Sequence, residues 1–183
     1  IYMKDNRKKT ALAISGGGAW GAWGGGTIQG LKECKNKDYD IVIGASTGSL
    51  LSPLTAIGEL DKMREAYTSV TQKSIFDVNP FNKKGEINIW NVFWRIAIVN
   101  SWNKLFKNKN TPTLGESNNL RKTIANFFTE NDFDTLKESG KEIVVTVVNL
   151  NTELAEFKSS NDCDYDDLVD WIWASANAPV FMT

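Results

Sequence analysis

The 183 residues are 42% hydrophobic and 23% charged, with a formal net charge of -1, a profile that fits one globular domain with a buried core. So small a net charge gives no overall reason to expect a nucleic-acid partner, and none is expected. The basic start (Lys4, Arg7, Lys8, Lys9) and the acidic stretch Asp162, Asp164, Asp166, Asp167 and Asp170 read as solvated faces.

Thr10 to Ser15 reads as a short buried strand, followed by a glycine cluster and a helix over Ala19 to Glu33. The cluster Gly16-Gly17-Gly18-Ala19-Trp20-Gly21 satisfies G-x-G-x-x-G, so dinucleotide binding has to be considered. That use requires an acid at the end of the second strand. The second strand, Asp40 to Gly44, instead runs into Gly44-Ala45-Ser46-Thr47-Gly48, and no Lys-Ser or Lys-Thr follows Gly21 as a phosphate-binding loop would need. A run of small residues ahead of a helix can instead offer backbone N-H groups to an oxyanion.

Gly44 to Gly48 spells G-x-S-x-G, the pattern of a nucleophilic serine on a sharp turn from strand to helix. Such a serine is ordinarily paired with histidine, and this chain contains none. Either Ser46 is structural or its base is another group, a carboxylate being the chemical alternative. Helices are expected over Ser49 to Leu60 and Asp61 to Val70, the latter opening on an acidic cap. Strand, helix, strand, helix implies parallel strands with right-handed crossovers and a sheet covered on both faces.

The middle, Gln72 to Pro112, is less regular. Its aromatic stretch Ile87 to Phe106 carries Trp90, Phe93, Trp94, Ile98 and Trp102 near helical spacing, flanked by lysines. It reads as an ordinary core or cap helix, or as an interfacial helix that brings Trp90, Trp94 and Trp102 to a lipid surface. Asparagines and Arg95 exclude a membrane span there. Helices follow at Ser117 to Phe128 and Phe133 to Glu138, then strands at Glu142 to Leu150 and Glu153 to Lys158 joined at Asn151-Thr152, and a last helix at Tyr165 to Ala174 capped by Asp162 or Asp164.

The two cysteines, Cys34 and Cys163, stand in no metal-ligand spacing, and no metal site is expected. They read as two buried thiols or as one disulfide. No signal-type apolar run follows Ile1, and a chain opening without Met leaves a trimmed segment open. The compartment stays open, soluble or membrane-peripheral, with the cytoplasm favoured.

Four segments, in order, carry a resemblance: Ser15 to Gly21, Ile43 to Leu50, Val147 to Glu153 and Ala174 to Phe181. Together they resemble the patatin-like phospholipases. The resemblance implies an α/β three-layer sandwich with a mostly parallel central sheet. It also implies a serine acyl hydrolase that acts on phospholipid or another lipid ester through a Ser-Asp dyad, without cofactor. Ser46 matches the family's nucleophile, Gly16, Gly17 and Gly18 its oxyanion loop, and Gly21, Gly44 and Gly48 the remaining motif glycines. The family's glycine motif usually carries Arg or Lys where this chain has Trp20. The dyad aspartate belongs to an Asp-Gly motif after the Pro179 segment, and these residues contain no Asp-Gly. The expectation is one patatin-like domain over residues 1–183, incomplete at its C-terminal end and a poor enzyme alone. An acyltransferase with the same dyad and a noncatalytic lipid-binding module are the alternatives.

Overall fold

The structure, a computed structural model, describes residues 8–77 and 117–177. The aromatic stretch with Trp90, Trp94 and Trp102 and the segment Ala178 to Phe181 lie outside the described residues. Those described fall into two compact units, one of 8–68 with 127–176 and one of 69–77 with 117–126 and Asn177.

The first unit holds the sheet. In chain order it contains β1 (Ala11–Ile14), a 3₁₀ turn (Gly18–Trp20), α1 (Gly21–Lys35), β2 (Ile41–Ala45), α2 (Thr47–Ile57) and α3 (Leu60–Ser69). In the second unit lie the one-turn helix α4 (Gln72–Ile75) and almost all of α5 (Asn118–Phe127). The first unit resumes with α6 (Glu130–Ser139), β3 (Glu142–Asn149), β4 (Leu154–Ser159) and α7 (Tyr165–Ala176). The strand order is β1-β2-β3-β4, with β1, β2 and β3 parallel and β4 antiparallel to β3. This is an α/β architecture with a mostly parallel sheet.

Boundaries follow local chemistry. Asn36 and Gly58 end α1 and α2 in the left-handed conformation that Asn and Gly adopt at low cost. Thr129 opens α6 in a reciprocal capping box with Asp132. Asp164 caps α7 by accepting the Asp167 N-H at 2.9 Å, the role expected of it, whereas Asp162 lies in a separate 3₁₀ turn. The glycine-rich start of the first helix winds as 3₁₀ before α1 begins, two residues later than the expected Ala19.

The sheet's two faces are unequal. Val42, Gly44, Ile143 and Val145 are buried beneath α2 and α7, with α6 packed against α2, and Leu51, Leu136, Leu168 and Ile172 of these helices are fully buried. On the other face Ala11 and Ala13 are exposed, and Ile41, Ile43 and Val144 are half-buried. Among the described residues, the cover is deeper on the first of these faces. Strands added in one direction, β1 to β2 to β3, place their right-handed crossovers on one side, which accounts for the deeper burial there.

The cysteines are also not as expected. Both are free thiols, with Cys34 exposed and Cys163 half-buried, and burial pushes the Cys163 thiol up to about 11.

Candidate functional site

Two polar ends can be distinguished on the sheet. At its amino edge Lys141, just before β3, donates to Asp38 at 2.7 Å and to the Ala56 carbonyl at 2.9 Å, and Thr10 is held to Asp40 through N-H and hydroxyl bonds of 2.7 and 2.9 Å. The Lys141 hydrogen bond holds the Asp38 carboxyl below its ordinary range. These contacts fasten strand starts. The carboxyl edge carries the glycine loop after β1 and Ser46 after β2, and β1 and β2 are direct neighbours, with Ile14 opposite Gly44.

Ser46 adopts φ 53° and ψ −125° between β2 and α2. Positive φ is uncommon for a residue with a Cβ and costs roughly 1 to 3 kcal/mol, so surrounding structure must hold it. That support is visible on both sides of the residue. Its N-H donates to Ser175 Oγ at 2.9 Å, and Ser175 Oγ in turn donates to the Thr146 carbonyl of β3 at 2.7 Å. Its carbonyl accepts the Ser49 N-H at 2.9 Å and the Ser49 hydroxyl at 2.5 Å. The backbone of Ser46 is thus tied to α7, β3 and α2, and no hydrogen bond engages its Oγ among the described residues.

The glycines account for the close packing of this turn. A Cβ on Gly44 would lie 2.3 Å from Ser52 Oγ and 2.6 Å from the Gly48 carbonyl oxygen, and one on Gly48 would lie 2.1 Å from the Ile14 carbonyl oxygen. Neither position admits a side chain without moving backbone. A Cβ on Gly16 would lie 2.7 Å from Ser46 Cβ and 3.3 Å from Ser46 Oγ. The glycine loop therefore passes directly against the serine side chain. Gly18 takes φ +56°, with open space where a Cβ would stand, and the Gly17 carbonyl accepts the Trp20 N-H at 3.1 Å.

Gly21 is hemmed in from α3 and α2, where a Cβ would meet Tyr67 Oη at 2.9 Å and Thr47 Cβ at 3.1 Å. The Tyr67 hydroxyl donates to the Thr47 carbonyl at 3.1 Å. Burial pushes its pKa up, so it remains a protonated donor. Thr47 Oγ1 is buried and has no hydrogen-bond partner among the described residues.

All the expected motif residues, Gly16, Gly17, Gly18, Gly21, Gly44, Ser46 and Gly48, lie along one edge of the sheet, on two adjacent strand ends. Sequence reasoning assigned no role to Ser175, Ser49 or Tyr67. Ser175 stands 129 residues from Ser46, too far for any periodicity to connect them.

A family model described as Patatin-like phospholipase matches residues 12–183. A search among curated proteins finds no match.

Proposed function

We propose, from the premise that this chain belongs to the patatin-like phospholipase family, that Ser46 is the nucleophile of a lipid acyl hydrolase. The observation that carries this reading is the backbone of Ser46. A serine held at φ 53° at a strand-to-helix turn, with Gly16 against its side chain, has the form of a nucleophile elbow. Family membership supports lipid esters as the substrate class.

In the proposed reaction Ser46 Oγ attacks the ester carbonyl while its proton passes to an aspartate. The family resemblance puts that aspartate in an Asp-Gly motif after the Pro179 segment. Backbone N-H groups of Gly17 and Gly18 take the developing oxyanion, a contribution worth about 3 to 4 kcal/mol per donor in comparable sites. The alkoxide leaves with the proton, and water then attacks the acyl-serine to release the fatty acid and free Ser46. Ser175 positions Ser46 through its N-H and does not touch the substrate.

Fluorophosphonate labelling tests this. The full gene product should be labelled at Ser46, located by peptide mass spectrometry, and Ser46→Ala should lose both label and ester turnover. Absence of label on Ser46 in the full product, or turnover retained by the Ala variant, would assign the chain to noncatalytic lipid binding.

A further inference from the structure

The sheet's carboxyl edge carries a set of large apolar side chains that the fold leaves in solvent. Trp20, Trp23, Val148, Leu150 and Leu154 are between 61% and 78% exposed. Single exposed apolar residues need no explanation, but a grouped set does. Topology groups these. Both indoles follow β1, Trp20 closing the 3₁₀ turn ahead of α1 and Trp23 lying in the first turn of α1. Val148, Leu150 and Leu154 belong to the β3-β4 hairpin.

Ser46 directly follows β2, which lies between β1 and β3, so the two apolar groups flank it. The hairpin also overshoots. The last β2-β3 pair is Ala45 with Thr146, and β3 continues through Asn149, roughly 10 Å farther at the ordinary strand rise. Its turn is rigidly built, because Asn149 Oδ1 accepts the Asn151 N-H at 3.0 Å and the Asn149 carbonyl accepts the Glu153 N-H at 2.8 Å. Leu150 and Leu154 are therefore held out beyond the level of the serine.

Charge selects the occupant. No charged residue occurs from Thr10 to Leu31, and the hairpin turn from Asn149 to Ala155 has Glu153 as its one charge. Among the described residues of this rim there is no cation for an anionic head group and no pattern of charges to fix a protein partner's register. Exposed indoles beside aliphatic side chains match the interface of a zwitterionic bilayer, where tryptophan rings sit at head-group level.

We infer that Trp20, Trp23, Val148, Leu150 and Leu154 form a docking rim that seats the carboxyl edge of the sheet on a zwitterionic phospholipid surface. The inference uses the lipid-ester reading of Ser46 only for the orientation it gives, with the serine facing the lipid. It puts surface contact on the glycine loop and the hairpin.

The test uses the full gene product carrying Ser46→Ala, so that lipid is not consumed, and flotation with phosphatidylcholine vesicles. Trp23→Gln and the pair Leu150→Gln with Leu154→Gln should each weaken vesicle binding at least tenfold, with unchanged circular dichroism. Binding by the parent should change little with added salt. In the parent, bromine-substituted phosphatidylcholine should quench tryptophan fluorescence, a readout that needs no substitution. Three results would overturn the inference: variants that bind as the parent does, binding that requires phosphatidylserine and vanishes in salt, or sedimentation showing the patch covered by a second copy of the chain. In the Ser46 background, the same variants should turn over a water-soluble ester within twofold of the parent. If no soluble ester is hydrolysed and Ser46 takes no label, the hydrolase reading fails while the vesicle result stands independently.

Discussion

Ser46 and Ser175 are related by a single backbone hydrogen bond, and that bond carries a specific expectation. Ser175→Ala leaves the Ser46 N-H and the Thr146 carbonyl without their shared hydroxyl, at a stability cost of about 1 to 3 kcal/mol. It should also slow fluorophosphonate labelling of Ser46 more than tenfold, with recovery in Ser175→Thr. Urea melts and labelling time courses measure the two effects separately, and unchanged labelling would reduce Ser175 to a structural role. Gly16→Ala is the steric counterpart. With a Cβ 2.7 Å from Ser46 Cβ, it should abolish labelling. Thr47→Val should be neutral or slightly stabilising in thermal melts, because the buried Oγ1 that it removes has no partner among the described residues.

At the scale of elements, α2 shows how a helix can be buried on nearly all sides and still satisfy its polar groups. Ser52 and Thr55 donate back to the carbonyls of Gly48 and Leu51 at 2.8 and 2.7 Å, so neither hydroxyl needs water. Helix α6 depends on its first turn in a different way. Asp132 accepts the Thr129 N-H at 2.7 Å and the Lys62 ammonium at 2.5 Å, so one carboxylate caps α6 and fastens it to α3. Asp132→Ala removes both and should lower stability by about 1 to 2 kcal/mol in denaturant melts. Asp132→Asn, which keeps the shape and loses the charge, should lower it less.

Across the molecule, acid sensitivity should follow the carboxylates that tie distant segments. Burial pushes Asp132 up, but hydrogen bonds from Lys62 and Thr129 outweigh it and hold its pKa below the ordinary 3.8. The Asp38 carboxyl is lowered from the same value, chiefly by its hydrogen bond from Lys141. A carboxylate with a depressed folded-state pKa contributes stability that is complete above its unfolded value and is lost as pH falls through the folded one. Melting temperature should therefore drop as pH falls below 3.8. The decline should be shallower in the double variant Asp38→Asn, Asp132→Asn, and equal slopes would refute the assignment.

Much of this was legible without coordinates, because it is written in neighbouring residues. The apolar runs around Ile14 and Val42, the Val-rich stretch 142–149 and the turn at Asn151-Thr152 each announce their element locally, and Gly44 to Gly48 announces a serine turn. The alternation of strands and helices also determined the α/β class. The strand order β1-β2-β3-β4 was decided only by tertiary structure, because the direction in which each strand is added depends on competing packings of whole elements. The partnership of Ser46 with Ser175 was likewise invisible. A hydrogen bond across 129 residues leaves no periodicity in a single sequence, and it exists because α7 packs where its serine can reach both β3 and the turn after β2.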